Sequence, residues 1–343
     1  MPAKPLTSLK AYNTFAIDHA CVSIIDVDSK EALIETCYDL YQRDKPFLLL
    51  GGGSNILLTE DYLGTVVRIL TKGIKVKGDT DNYFITVEAG ENWHELVKHC
   101  LQLGIAGLEN LALIPGTVGA APIQNIGAYG VEFVDVCDWV EYLDLTDGKL
   151  KRLNAAECRF GYRNSIFKGV LNGLAVITTV GFRLNKVWQP KLSYGPLQKL
   201  DNKTVTPLHV FDCICETRRS KLPDPKVLGN AGSFFKNPII TSELFLTLKQ
   251  KYPDIVGYPV NSGIKLAAAW LIDNAGLKGF SIGKASVHGQ QALVLVNTGS
   301  ATGDDVVRLA RYIIEKISTQ FFVNLEAEPR VIGAYGEKEL KDG

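Results

Sequence analysis

The sequence is poor in the features that mark secreted, membrane or nucleic-acid-binding proteins. Its seven Cys include no C-x-x-C pair, which argues against a disulfide framework or a cysteine zinc site. Lys plus Arg and Asp plus Glu number 37 each, so no net charge attracts nucleic acid or an anionic membrane. No apolar run approaches the roughly 20 residues of a membrane span, and the N-terminal residues lack the apolar segment of a signal peptide. These absences predict a cytoplasmic protein without membrane insertion or nucleic-acid partner.

The length and the mixture of patterns predict an α+β protein with more than one domain. Hydrophobic residues make up 46% of the 343 residues, and a domain averages about 150 residues. Hydrophobic periodicity predicts helices at 28–43, 92–103, 242–250, 264–275 and 303–318. The same reasoning predicts strands at 47–50, 139–145, 150–153, 175–184, 291–297 and 321–332. A charged connector bounded by prolines at 221–226 predicts that the two halves of the chain meet near 190–225.

A run of glycines follows the predicted strand at 47–50. The residues are Gly51, Gly52, Gly53, Ser54 and Asn55. Consecutive glycines let backbone N–H groups approach a phosphate closely. The run nevertheless lacks the G-x-G-x-x-G and G-K-[ST] patterns of common nucleotide sites. A tight corner after a strand explains the same residues, so both interpretations stay open at this point.

A second run, residues 112–130, is long and has few charges. Several of its residues have little or no side chain: Gly116, Gly119, Ala120, Ala121 and Gly127. Such a backbone can wrap a large flat ligand, whereas a buried loop without one leaves polar backbone groups short of partners. The run therefore favours a ligand-binding loop.

Two shorter segments contain groups that could take part in chemistry. Arg163, beside Tyr162, could clamp a carboxylate through its guanidinium fork, or it could be an ordinary surface arginine. Ser233, inside the glycine-containing segment 229–238, could donate a proton or merely form a turn, and no hydrolase elbow surrounds it. The five His show no metal-ligand spacing, so we predict no metal site.

These segments, in this order, resemble the UDP-N-acetylenolpyruvoylglucosamine reductase family (UDP-N-acetylmuramate dehydrogenase, MurB). The resemblance covers nearly the whole chain. The matching segments are NTF at 13–15, GGGSN at 51–55, GLEN at 107–110, PGTVG at 115–119, QNIGAYG at 124–130, YR at 162–163, KLPDP at 221–225, GSFFKNP at 232–238 and LEAE at 325–328. Nine motifs in the right order, in a chain of matching length, are highly specific.

The resemblance implies both an architecture and a reaction. It implies a two-subdomain FAD-binding fold of the vanillyl-alcohol-oxidase (PCMH) type at 14–190, split near 72, and an α+β substrate-binding domain at 219–320. Residues 321–343 would then return as a strand to the FAD domain. NADPH would reduce noncovalently bound FAD, which would reduce UDP-N-acetylglucosamine enolpyruvate to UDP-N-acetylmuramate for peptidoglycan synthesis.

The resemblance also implies roles for individual residues. The catalytic residues would be Arg163, Ser233 as the proton donor, and Glu328. FAD would be bound by Gly51, Gly52, Gly53, Ser54, Asn55, Pro115, Gly116, Gly119, Ile123, Gly127 and Arg218. The UDP-sugar would be bound by Tyr162, Tyr194, Lys221, Asn237, Tyr258 and Gln291. Tyr258 suggests the longer variant of the family, with an extra tyrosine loop over the substrate.

Several alternatives stay open from the sequence. Glu326 lies two residues before Glu328 and competes with it as the catalytic glutamate. No motif separates NADPH from NADH, so that preference rests on the resemblance. An oxidase on the same flavin fold is the first competitor, although residues 47–60 contain no His for covalent flavin attachment. A non-catalytic module that binds a nucleotide sugar is the second.

Overall fold

The computed structural model describes residues 6–340 and contains six α-helices, five short 3-10 helices and several small sheets in that range. Residues 1–5, on which the signal-peptide prediction partly rests, and residues 341–343 of the predicted C-terminal segment lie outside the described part. The α-helices are α1 Lys30–Gln42, α2 Trp93–Gln102, α3 Pro207–Lys221, α4 Ser242–Lys251, α5 Ala268–Asn274 and α6 Gly303–Phe321.

The strands are short and are numbered along the chain. The first group is β1 Thr7–Ser8, β2 Ala20–Val27, β3 Phe47–Leu50, β4 Ile56–Leu58, β5 Tyr62–Ile69, β6 Ile74–Gly78, β7 Asn82–Glu88, β8 Gly127–Ala128, β9 Val131–Glu132, β10 Cys137–Asp144, β11 Lys149–Asn154 and β12 Ala175–Asn185. The second group is β13 Gly229–Ser233, β14 Ile239–Ile240, β15 Gly257–Val260, β16 Gly263–Leu266, β17 Ser281–Ile282, β18 Ala285–Val287, β19 Val294–Asn297, β20 Arg330–Gly333 and β21 Gly336–Lys338.

Two sheets form the N-terminal half. The first has the order β1-β2-β5-β3, and its β2–β5 and β3–β5 pairs are parallel. The second is antiparallel, with the order β11-β10-β12-β7-β6. Leu33 and Cys37 of α1 pack with apolar residues of both sheets in one small core, which joins the two units. Helix α1 begins at its N-cap Ser29, whose side chain accepts from the Ala32 N–H.

The C-terminal half is a four-stranded sheet with helices against it. Its order is β13-β19-β18-β17, and a separate three-stranded sheet has the order β14-β16-β15. Helix α6 starts at a capping box formed by Thr302 and Asp305. Its apolar stripe, which includes Ile313 and Ile317, is fully buried in the core, as the helical spacing predicts.

The end of the chain returns to the N-terminal half. Strand β20 pairs in parallel with β4, and Arg330 stands opposite Ile56 in that ladder. The Arg330 N–H also donates to the Asn55 carbonyl oxygen. The C-terminal segment is thereby placed directly beside the first glycine run.

Most of the predicted elements are confirmed, and the exceptions have physical causes. The helix predicted at 264–275 is wrong in its first turn, because Gly263–Leu266 is β16, held between β14 and β15. The strand predicted at 321–332 is wrong for most of its length, since only its end, Arg330–Gly333, is a strand. Helix α3 was not predicted. Its residues Val210 and Ile214 are buried in the core of the second sheet.

Glu88, at the end of β7, provides a test of how the burial of a carboxyl group affects the stability of the fold. Its Oε2 is buried and has no hydrogen-bond partner within residues 6–340, and burial raises the pKa of its carboxyl group. Because the folded-state pKa is above the unfolded one, ionised Glu88 opposes folding at neutral pH, and this effect ends below the unfolded pKa of about 4.3. We expect Glu88→Gln to raise the urea midpoint at about pH 7 and leave it unchanged near pH 4. An equal change at both pH values would contradict this account.

Candidate active site

A cavity of about 370 Å³ lies where the glycine runs, the second sheet and the C-terminal segment meet. Its volume is within the range of small-molecule sites. All eleven residues predicted to bind the cofactor line it, and so do the three predicted catalytic residues, Arg163, Ser233 and Glu328. Neither the periodicity nor the spacing of the sequence places these segments together.

The two glycine runs touch each other across the cavity. A Cβ atom on Gly52 would lie 3.0 Å from the Gly116 Cα, and one on Gly51 would lie 2.5 Å from the Thr117 Oγ1. Gly53 has a φ of +61°, and a Cβ there would stand 2.0 Å from the Tyr12 carbonyl oxygen. A side chain would collide at each position: Gly52 is required by the close approach of the two runs, Gly51 by the Thr117 side chain, and Gly53 by the Tyr12 backbone and its positive φ.

Side chains from neighbouring segments hold the second run in place. The Asn125 Nδ2 donates to the Glu132 Oε2 at 2.8 Å and to the Gly161 carbonyl oxygen at 3.1 Å. The Ser165 Oγ donates to the Ile123 carbonyl oxygen at 2.7 Å. Some backbone groups of this run were expected to need a ligand as a hydrogen-bond partner. They bond to side chains of the protein instead. The loop is held before any ligand binds.

Arg218 presents an unpaired cation to the cavity. It lies in the last turn of α3, and its Nε is buried with no hydrogen-bond partner in the described structure. Burial lowers the pKa of its guanidinium. A buried donor without a partner is costly, and an anionic or strongly accepting ligand group would satisfy it. This orphaned atom fits a diphosphate-bearing cofactor.

Arg163 and Glu328 form an ion pair at the cavity wall. The Arg163 Nε lies 3.0 Å from the Glu328 Oε1, and both side chains are largely buried. This N–H is not aligned on the oxygen well enough to count as a hydrogen bond, so the contact is mainly electrostatic. The Arg163 Nη2 donates to the Gly127 carbonyl oxygen at 3.0 Å. The guanidinium therefore joins the second glycine run to the C-terminal segment.

The two candidate glutamates have different surroundings. The side chain of Glu328 is 13% exposed and lines the cavity, whereas that of Glu326 is 73% exposed. Glu326 pairs with Lys236 at 2.8 Å, which lowers the pKa of its carboxyl group. Glu326 is not among the residues that line the cavity. This geometry favours Glu328 as the glutamate that meets a bound ligand.

Ser233 reaches the cavity from the opposite half of the chain. It ends β13, next to Gly232 with a φ of +72°, and its side chain is exposed. Phe234 and Phe235, the residues that follow, are buried in the core. The serine is thus an accessible hydroxyl on a segment fixed by its buried neighbours.

The six predicted substrate residues lie outside the cavity lining. Two of them are in direct contact, and a third is linked to them only through Lys265. The Tyr162 Oη accepts from the Asn237 N–H at 3.2 Å, and the Lys265 Nζ lies 4.1 Å from the centre of the Tyr162 ring. Lys265 stands opposite Tyr258 in the β15–β16 ladder. Burial raises the pKa of Tyr162, and Arg163 partly offsets that rise.

The other three substrate residues are more scattered. Tyr194 is 51% exposed and packs edge-on against Tyr129 at 6.2 Å between ring centres. Lys221 is exposed at the end of α3. Gln291 lies in a turn where its N–H donates to the His288 Nδ1. The structure therefore does not bring these three together.

Five further polar residues line the cavity and were not assigned from the sequence: Thr117, Gln124, Lys168, Asn172 and Arg330. Gln124 lies in the second run, between Asn55 and Glu328. Lys168 is half-buried, and burial, followed by nearby Lys236, lowers the pKa of its amine. Gln124 and Lys168 are long polar side chains among mostly small or apolar residues. This contrast is the sequence feature that could have pointed to them as site residues.

Residues 6–340 offer neither a metal cluster nor a membrane-spanning helix. This part of the chain has no cluster of three or more His, Cys, Asp or Glu side chains suited to a metal ion. Burial raises the pKa of the Cys37 and Cys100 thiols to about 12. Among the described helices, none is long and apolar enough to cross a membrane.

Family models match both halves of the chain. Residues 23–154 match the FAD binding domain model. Residues 224–332 match the model of the UDP-N-acetylenolpyruvoylglucosamine reductase C-terminal domain. The fold is accordingly an FAD-binding fold of the vanillyl-alcohol-oxidase type followed by an α+β domain.

Individual proteins agree with these models over nearly full length. The chain is 64% identical to UDP-N-acetylenolpyruvoylglucosamine reductase of Shewanella sediminis over 343 residues, covering 100% of both chains. It is 51% identical to the Salmonella typhi protein of that name over 331 residues, covering 96% of this chain and 97% of the other. The crystal structure of MurB from Thermus caldophilus matches with a TM-score of 0.66 and 25% identity, covering 95% of this chain and 98% of that one. The chain belongs to the UDP-N-acetylenolpyruvoylglucosamine reductase family.

Proposed function

We propose that Arg163, Ser233 and Glu328 are the catalytic residues with which this chain performs the family reaction. The chain is an FAD-dependent oxidoreductase that reduces UDP-N-acetylglucosamine enolpyruvate to UDP-N-acetylmuramate in peptidoglycan synthesis, with NADPH as hydride donor. One observation carries the assignment of residues. The Arg163–Glu328 ion pair and the exposed Ser233 line the same cavity as both glycine runs.

The glycine backbone and the positive charge of the cavity wall both fit FAD. The two runs supply stretches of glycine backbone at 51–53, 116 and 119, and Arg218, with its buried Nε, supplies a cation for the diphosphate. When bound, FAD would supply the hydride-transfer chemistry that connects NADPH with C3 of the enolpyruvyl group. The residues of this chain hold the cofactor, orient the substrate and manage charge and protons.

Arg163 and Glu328 act on the carboxylate of the enolpyruvyl group. Negative charge develops there during reduction, and the Arg163 guanidinium stabilises it because it is fixed before the reaction by Glu328 and the Gly127 carbonyl. Glu328 holds that guanidinium through its Oε1 and lines the cavity beside the substrate.

Ser233 delivers the proton to C2. Its Oγ is exposed at the cavity and lies on β13, in a different half of the chain from the glycine runs. A serine hydroxyl is a weak acid, but C2 is strongly basic once the hydride has been added at C3. A positioned donor is therefore sufficient for general acid catalysis.

The UDP-sugar is held by residues around the cavity rather than by its lining. The linked residues Tyr162, Asn237 and Tyr258 form one group, and Lys221 provides a cation for the diphosphate. Tyr194 and Gln291 complete the proposed set. The scattered positions of Lys221, Tyr194 and Gln291 imply that the substrate spans a wide surface between the two halves.

The domain division follows from the same proposal. The FAD domain would occupy 14–190 with its subdomains split near 72, the substrate domain 219–320, and the C-terminal segment would start at 321. The break between β5 and β6 and the pairing of β20 with β4 support this division. We further propose a cytoplasmic protein with small-molecule partners only, without nucleic acid or membrane insertion, in keeping with its balanced charge.

Gly52→Val tests the assignment of the cofactor site. A Cβ at Gly52 already meets the Gly116 backbone, so valine would push the two runs apart and weaken FAD binding. We expect FAD affinity, measured by quenching of flavin fluorescence with apoprotein, to fall at least 10-fold, by analogy with steric changes worth about 1–3 kcal/mol. Gly289→Val, where a Cβ meets no atom within 4 Å, is the matched control. Normal FAD affinity in Gly52→Val would refute the assignment.

Ser233→Ala tests the proton donor. We expect reoxidation of the reduced flavin by the enolpyruvyl substrate to slow by about 10²–10⁴-fold, the usual contribution of a positioned acid. Reduction of the flavin by NADPH should persist, because it needs no proton at C2. Ser233→Cys should keep part of the activity, since a thiol also donates. Stopped-flow absorbance separates the two half-reactions, and equal slowing of both would indicate structural damage instead.

Lys221→Ala tests the diphosphate contact. Losing a charge-assisted hydrogen bond worth about 1.5–3 kcal/mol should raise the substrate KM roughly 10-fold or more. The exposed Lys226→Ala, on the adjacent connector, is the control and should leave KM unchanged. A lower kcat with unchanged KM would count against a contact made in the ground state.

A further inference from the structure

We propose that Gln124 is a positioning residue that determines which oxygen of Glu328 faces the substrate. This inference rests on the catalytic role proposed above for Glu328. It concerns a residue that the sequence analysis left without a role, and it follows from a chain of hydrogen bonds at the cavity wall.

The chain of contacts runs from the first glycine run to the catalytic pair. The Asn55 Nδ2 donates to the Gln124 Oε1 at 2.9 Å, and the Gln124 Nε2 donates to the Glu328 Oε1 at 3.3 Å. Arg163 then contacts the same Oε1 at 3.0 Å. All four residues line the cavity, so this network lies next to the bound ligands.

The orientation of the Gln124 amide is dictated by its neighbours. The Asn55 Nδ2 also reaches the Glu328 backbone oxygen, at 3.4 Å, so the donor end of Asn55 faces this segment. An amide offers an acceptor at one end and a donor at the other. With its Oε1 turned to Asn55, Gln124 must turn its Nε2 to Glu328. Flipping the Gln124 amide would place its Nε2 against the Asn55 Nδ2, which is also a donor, and its Oε1 against the Glu328 carboxylate.

The consequence is an asymmetric carboxyl group. Oε1 of Glu328 receives both Gln124 and Arg163, whereas Oε2 has no hydrogen bond or ion pair to another side chain within residues 6–340. Oε1 is therefore held by donors of the protein, and Oε2 is the atom left to face the substrate. Without Gln124 the carboxyl group would rotate about a single contact with Arg163.

The first test compares half-reactions in Gln124→Ala and Gln124→Glu. The second variant keeps the size of the side chain, replaces the donating nitrogen with an oxygen and adds a negative charge beside Glu328. We expect both to slow flavin reoxidation by the enolpyruvyl substrate by about 10–100-fold, the effect of losing a hydrogen bond to a charged group. Flavin reduction by NADPH, and FAD affinity of the apoprotein measured by fluorescence, should change by less than about 3-fold. Gln320→Ala, a glutamine on α6 that donates to the Asn274 carbonyl oxygen, is the control.

The decisive test is a double-mutant cycle with Glu328→Ala. If Gln124 acts through Glu328, Gln124→Ala should have almost no further effect once Glu328 is absent. A full 10–100-fold effect in the Glu328→Ala background, or a large loss of FAD affinity in both Gln124 variants, would overturn the positioning role. If Glu328→Ala alone leaves reoxidation unchanged, the proposed role of Glu328 fails, and the role of Gln124 fails with it. The outcomes therefore distinguish the two proposals.

Discussion

The ion pair between Arg163 and Glu328 is the interaction on which the organisation of the cavity depends. Its partners come from distant parts of the chain, and a largely buried pair is tolerated only where further polar contacts compensate its desolvation. Those contacts come from the Gly127 carbonyl and from Gln124. The second glycine run and the C-terminal segment must therefore both be in place before the pair can form.

The fold delivers the three participating segments to one place. Strand β20 pairs beside β4, immediately after the first glycine run, so Glu328 enters the cavity two residues before the strand begins. The two runs approach closely enough that only glycine fits at the contact. The binding site is therefore largely built by folding, which reduces the ordering cost of taking up a large ligand.

The sequence predicted the chemistry of the site better than its geometry. Glycine runs and motif order led to candidate cofactor residues that all line one cavity, because close backbone approach demands a specific residue type. Glu326 and Glu328 could not be separated, since their difference lies in the Lys236 and Arg163 that each one meets in space. Helix α3 and the strand at Gly263–Leu266 were missed because tertiary packing and strand pairing override local pattern. Gln124 had no signal of its own apart from being polar among small residues.

The central claim is that the cavity transfers electrons from bound flavin to an enolpyruvyl group. The most direct measurement is anaerobic stopped-flow absorbance of the NADPH-reduced, FAD-loaded protein mixed with UDP-N-acetylglucosamine enolpyruvate. The account predicts rapid return of the oxidised flavin band, with one lactyl ether formed per flavin reoxidised. The competing oxidase would instead stay reduced until oxygen is admitted, and a binding module would show no flavin band at all. Either of those two results would contradict the account.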